Sequence, residues 1–154
     1  MNITVKADAE TLVAASEIYK EVLEPVKGTE NLMCSFTLQP YPVSLLEKSN
    51  GNSLGLSPVQ GPLVSVLLLS YWKNASDDDA ILSMMRGGLA RMKQEAEERG
   101  QLVPYVYANY ASADQDPIRS YGADEKKALQ DTSVKYDPEG LFQKACPGGF
   151  KLFP

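Results

Sequence analysis

The chain contains no histidine in its 154 residues. That absence excludes a Ser-His-Asp or Cys-His nucleophile and an imidazole metal centre. Cysteine is nearly as scarce. Cys34 and Cys146 are far apart, lack metal-ligand spacing, and read as two small buried hydrophobes rather than as a disulfide or a reactive thiol. No basic stripe is present and the formal net charge is −5, which argues against a nucleic-acid partner. The longest apolar run, Leu63 to Leu69, is too short to span a bilayer, so no membrane partner is expected. The opening residues, Met1 to Lys6, lack the apolar stretch of a secretory leader, which points to a cytoplasmic location. No dinucleotide fingerprint occurs, because neither Gly87-Gly88 nor Gly148-Gly149 sits between a strand and a helix in the required frame. The acidic run Asp77-Asp78-Asp79 reads as a helix start, and no metal site is expected.

What is present is an ordinary globular composition, 44% apolar, long enough for one domain with a real core. Residues 2–6 alternate as a short strand. Asp8 is placed to cap a helix in which Leu12, Ala15, Tyr19 and Leu23 recur at helical spacing, with Pro25 and Gly28 beyond its end. Residues 32–39 alternate again and should stop at Pro40 and Pro42. Residues 43–61 read as a loop centred on Ser49-Asn50-Gly51-Asn52-Ser53, with a short helical turn at 43–48. Residues 63–72 are apolar on both faces, as in a covered central strand. Ser76 or Asp77 should cap a long helix with a buried stripe from Ile81 to Met92. Gly87 and Gly88 suggest a close approach to the sheet there, and Arg91 and Glu95 are spaced to pair. A fourth strand is predicted over 102–110, then helices over 123–136 and 141–145.

The order is β-α-β-β-α-β, which predicts an α+β, ferredoxin-like fold. Both main helices should lie on one face of an antiparallel sheet, and a helical tail should follow the core. The domain is expected to be single over 1–154, with a core over 1–110 and a C-terminal loop and helices over 111–154.

The opposite face of such a sheet would carry Thr4, Lys6, Ser35, Thr37, Gln39, Tyr105, Tyr107 and Asn109, with Ser65, Leu67, Leu69 and Tyr71 from the third strand. Hydroxyls, an amide and phenols over a partly apolar floor suit a small molecule. Such a floor should not stay bare in water, so a homodimer through this face is expected. Asp116, Arg119 and Tyr121 cluster in what reads as a loop closed by an ion pair.

Several stretches resemble one family in order and with compatible spacing. They are Leu38-Gln39-Pro40, Asn52-Ser53-Leu54-Gly55-Leu56, Gly61-Pro62-Leu63-Val64, and Tyr107-Ala108-Asn109-Tyr110-Ala111 with Gln115-Asp116-Pro117 and Ser120-Tyr121-Gly122. The tail adds Tyr136-Asp137-Pro138-Glu139-Gly140-Leu141-Phe142-Gln143 and Pro147-Gly148-Gly149-Phe150. Together they resemble the C-terminal substrate (berberine-like) domain of fungal FAD-linked oxidoreductases of the berberine-bridge-enzyme-like, vanillyl-alcohol-oxidase type, without the FAD-binding domain. The resemblance implies a sheet that covers the reactive face of the flavin, with Tyr107, Asn109 and Tyr110 as the catalytic candidates. From the sheet-face pattern, substrate contacts would come from Thr37, Gln39, Tyr105, Leu67, Leu69 and Tyr71. Ser112 departs from the motif, which carries an aspartate after Asn-Tyr-Ala.

Three functions follow as expectations. The first is a stand-alone, flavin-free cyclase or isomerase of fungal secondary metabolism, needing no cofactor, that folds a polyketide- or terpenoid-like substrate on the open sheet face. A start just before the first strand and a family-type tail favour it. The second is a part or subunit of an FAD-dependent oxidoreductase, with FAD supplied in trans. The third is a non-catalytic small-molecule-binding pseudoenzyme.

Overall fold

Apolar alternation gives strands and a three-to-four-residue apolar spacing gives helices along most of the chain. The computed structural model describes residues 1–49 and 51–153; Asn50, in the loop expected between the second and third strands, and Pro154 lie outside them. The elements are β1 (Asn2–Lys6), α1 (Ala9–Leu23), β2 (Met33–Tyr41), α2 (Val43–Lys48), β3 (Leu63–Tyr71), α3 (Asp78–Glu98) and β4 (Leu102–Val103). The tail holds α4 (Pro117–Ser120), α5 (Ala123–Tyr136) and α6 (Leu141–Lys144). The fold is α+β, and among the described residues a four-stranded sheet runs β2-β3-β1-β4 with every neighbouring pair antiparallel. Among the described residues no helix is long and apolar enough to cross a membrane.

One sheet face carries Ile3, Val5, Val64, Val66, Leu68, Cys34 and Phe36. They pack in a single core with Ala15, Ile18, Tyr19 and Val22 of α1 and with Ile81, Met85, Leu89 and Met92 of α3. Both long helices therefore cover the same side. Asp8 caps α1, its carboxylate accepting the Thr11 main-chain N–H at 2.8 Å.

Several local expectations are corrected. Gly88 marks a close approach to α1, not to the sheet: a Cβ there would stand 2.9 Å from Val22 Cγ2, while one at Gly87 meets open space. Arg91 reaches across to Glu21 of α1 at 2.6 Å, and Glu95 pairs instead with Arg99 at 2.7 Å. Asp77 occupies the α3 cap position without a side-chain bond, and Asp78 accepts the Trp72 indole N–H at 2.6 Å. Pro40 does not end β2, which continues to Tyr41 because an edge strand tolerates a missing donor. Of the two cysteines only Cys34 is half-buried; Cys146 is exposed, and both are free thiols. Asp116 closes its loop as a helix cap, accepting the Arg119 main-chain N–H at 3.0 Å, rather than through an ion pair.

The largest difference is the fourth strand. It spans two residues, not nine. Pro104 has no N–H to give the ladder, and the Tyr105 N–H turns back onto the Val103 carbonyl at 2.7 Å, so the chain leaves the sheet. Tyr105, Tyr107 and Asn109 are consequently not strand residues, and Ala108–Tyr110 is a single 3-10 turn.

Candidate functional site

The departure of the chain at Pro104 leaves the first half of β1 paired with β3 but without a strand on its β4 side, and two side-chain amides take over there. Asn2 is fully buried. Its Nδ2 donates to the Tyr107 carbonyl at 3.1 Å, and its Oδ1 accepts the Tyr107 N–H at 2.9 Å. Gln115 does the same for the Asn2 main chain: its Nε2 donates to the Asn2 carbonyl at 2.7 Å and its Oε1 accepts the Asn2 N–H at 3.0 Å. Two carboxamides thus replace the missing ladder and hold residues 107–115 against the sheet.

This places Tyr107 over the sheet face opposite the long helices. Asn109 Nδ2 donates to the Tyr107 phenol oxygen at 2.8 Å, and the Tyr110 ring stands edge-on to Tyr107 at 4.9 Å. The three expected catalytic candidates are therefore brought together. Its oxygen accepts from Asn109, which leaves the Tyr107 O–H to act as a donor.

Gln39, Tyr105 and Tyr107 meet in a cavity of about 230 Å³ walled by α2 and the loop after it, where Tyr41, Leu46 and Leu56 also contribute. Tyr105 is buried rather than displayed on the face. It stacks on Tyr121 at 5.7 Å and meets the edge of Tyr41 at 6.3 Å. Burial raises the phenol pKa of all three above the ordinary tyrosine value, so each stays protonated and none of them is poised as a base.

Thr37, Leu67, Leu69 and Tyr71 share that sheet face but lie outside the cavity. The register places Thr37 opposite Leu67, Ser35 opposite Leu69 and Met33 opposite Tyr71. Toward its far end the strip is open: Met33 is 67% and Tyr71 61% exposed. At the near end, α2, the 51–57 loop and residues 103–121 cover the sheet, a cover the alternation pattern did not reveal. Thr4 and Ser65, expected on the open face, are fully buried, and neither hydroxyl has a partner among the described residues. Sequence reasoning also missed Asn2 and Gln115. The available signal for Asn2 was an amide in phase with Thr4 and Lys6 on an otherwise apolar strand.

No family model matches the chain, and no solved structure matches it. Curated fungal proteins do. FAD-dependent monooxygenase tpcD of Cochliobolus heterostrophus is 34% identical over 157 residues, which cover 97% of this chain and 30% of that protein. Oligopeptidase PhomG' of Diaporthe leptostromiformis is 33% identical over 153 residues, covering 97% of this chain and 13% of that protein. Bifunctional solanapyrone synthase of Alternaria solani is 35% identical over 118 residues, covering 75% and 23%. The chain thus spans at most 30% of the length of these relatives.

Proposed function

We propose that the chain supplies the substrate-facing wall of a composite site in a flavin-linked oxidation of fungal secondary metabolism, with FAD held by another domain or chain. The observation that carries this reading is the open apolar strip of Met33, Leu69 and Tyr71, on the same sheet face that Tyr107 overlies. An enclosed catalyst would exclude water from such a strip, whereas a wall awaiting its opposite half leaves it uncovered. The tail supports the same reading, because Tyr136, Leu141 and Phe142 on α5 and α6 are exposed large apolar side chains. The sheet order β2-β3-β1-β4, with α1 and α3 on one side, supports a ferredoxin-like frame beneath the strip. Several relatives are named FAD-dependent monooxygenases, which favours FAD as the cofactor.

The residues present fit one part of FAD only. A flat apolar strip suits one side of a planar ring system, while the sequence offers no glycine-rich phosphate loop. Met33, Leu69 and Tyr71 would face the ring, which when bound accepts the hydride. Tyr107 then holds or moves the proton at its phenol oxygen, Asn109 fixes that oxygen, and Gln39 orients a substrate carbonyl or hydroxyl. The test is a chimera in which this chain replaces the matching segment of FAD-dependent monooxygenase tpcD. A yellow protein that turns over substrate, and loses at least tenfold in kcat on Tyr107→Phe, supports the reading. A folded, flavin-loaded chimera indifferent to Tyr107→Phe contradicts it.

The flavin-free cyclase or isomerase is the second reading, favoured by the cavity in which Gln39 and Tyr107 meet. It requires a second copy to cover the strip, so a monomer at high micromolar concentration counts against it.

A further inference from the structure

We propose that the outer edge of β2 is an interface for a second copy of this chain, which pairs β2 with β2 across a two-fold axis into one continuous sheet. The hydrogen-bond phase of the sheet fixes which main-chain groups that edge offers. Met1 and Leu68 exchange both of their N–H···O bonds, so Val64, Val66 and Leu68 turn their main chains toward β1. The alternate residues of β3, Leu67 and Leu69 among them, turn theirs toward β2, where they meet Thr37 and Ser35. Cys34, Phe36 and Leu38 therefore point their N–H and C=O groups out of the sheet. None of these groups has a hydrogen-bond partner among the described residues. Edge strands are normally blunted by charge, shortness or a bulge, yet β2 runs for nine residues without a charged side chain.

The edge is complementary to itself, which points to a second copy rather than an unrelated strand. Antiparallel pairing centred on Phe36 sets Cys34 opposite Leu38 of the second copy and Phe36 opposite its own counterpart. Each such pair exchanges two bonds, so every free N–H on the edge finds a carbonyl. The ends of the strand fix this register. Pro40 has no N–H to give, and it falls opposite Leu32, whose N–H is already spent on the Thr29 carbonyl at 3.2 Å. Sliding two residues one way would set Pro40 against Cys34 and orphan the Cys34 carbonyl. Sliding two the other way would set Leu38 against Leu32 and orphan the Leu38 carbonyl. The side chains agree with the central register. Leu38, 41% exposed, gains cover beside Cys34; Ser35 meets Thr37, a favourable cross-strand pair; and no like charges stand opposite each other. Because the contact lies in the plane of the sheet, it leaves the strip of Leu69 and Tyr71 open. It therefore stands or falls independently of the flavin reading.

A strand-to-strand contact is narrower than a standard interface, so sedimentation velocity of the full chain from about 5 to 500 µM should show a monomer giving way to a dimer. Leu38→Pro removes one outward N–H from each copy and should weaken the dimer roughly tenfold or more. It should melt close to the parent, because that N–H bonds nothing within the chain. Tyr71→Ser, on the open face, should leave association unchanged, whereas it would disrupt a dimer made through that face. The register is read by cross-linking. In a chain carrying Leu38→Cys and Cys146→Ser, Cys34 faces the introduced thiol of the second copy at a Cα separation of about 5.5 Å, within disulfide reach. Mild oxidation should then give a covalent dimer, and Cys146→Ser alone should give none. If Leu38→Pro fails to fold, the cross-link decides. A folded chain that stays monomeric throughout that range, a dimer indifferent to Leu38→Pro, one lost on Tyr71→Ser, or no cross-link would overturn the proposal.

Discussion

Replacing Asn2 by alanine tests whether two side-chain amides hold the Tyr107 segment in place of a strand. The substitution removes two hydrogen bonds, at 3.1 and 2.9 Å, and strips both main-chain groups of Tyr107 of these bonds. Each bond contributes about 0.5–1.5 kcal/mol net, and partnerless buried groups push the loss upward, so the cost should be about 2–3 kcal/mol. For a chain of this size that corresponds to a melting temperature lower by roughly 5–10 °C. The effect should also be local. In the parent the Tyr107 amide is bonded to Asn2 Oδ1, so its hydrogen exchange should quicken more in Asn2→Ala than that of Val66 in β3. A variant that melts within about 1 °C of the parent and leaves Tyr107 exchange unchanged would refute the argument, since two net bonds cannot vanish at so small a cost.

Other substitutions probe the rest of the frame. Gly55 adopts φ +69°, and a Cβ there would lie 2.1 Å from the Tyr121 carbonyl oxygen. Gly55→Ala should therefore destabilise by about 3 kcal/mol or more, from positive-φ strain together with a main-chain clash; urea unfolding measures it, and a midpoint equal to the parent's contradicts the fold around α2. Burial raises the Tyr105 pKa above that of an unfolded tyrosine, so its contribution is complete below about pH 10, the unfolded value. That contribution is lost as pH rises beyond it, because the unfolded chain releases the proton first. Tyr105→Phe should flatten this alkaline limb of stability, and an unchanged limb in thermal melts from pH 8 to 11 would count against a buried phenol. Asp8→Ala should cost about 1 kcal/mol through loss of the α1 cap, which equilibrium unfolding would register.

The elements with clean periodicity were legible in the sequence: β1 to β3, the two long helices and the helix of the tail. Apolar residues of β1 to β3 and of the two long helices meet in one core, where local pattern and tertiary packing agree, whereas the tail helix buries none of its residues. The fourth strand misled because Leu102 to Tyr110 alternates like a strand, while the one decisive residue, Pro104, breaks the ladder without breaking the pattern. Glycine spacing showed that something approaches α3 but could not say that it is Val22 of α1. At the site, the grouping of Tyr107, Asn109 and Tyr110 was legible from a short motif, since residues two and three apart meet in a tight turn. The roles of Asn2 and Gln115 were not legible. They depend on pairing across more than a hundred residues, which no local window contains. The cover over Thr4 and Ser65 was hidden for the same reason: a loop that looks irregular in sequence folds back as a second core around Leu46, Leu56 and Tyr105.

The central claim is that this sheet face is made to lie against a flat ring held elsewhere. Titrating the isotopically labelled chain with lumiflavin, the ring system without its phosphates, and in parallel with FAD, tests it most directly. The account predicts that both ligands perturb Leu69, Tyr71 and Tyr107 with similar, weak affinity, because the strip offers a wall and the sequence no phosphate cradle. Perturbations elsewhere, or FAD binding tightly where lumiflavin does not, would contradict it.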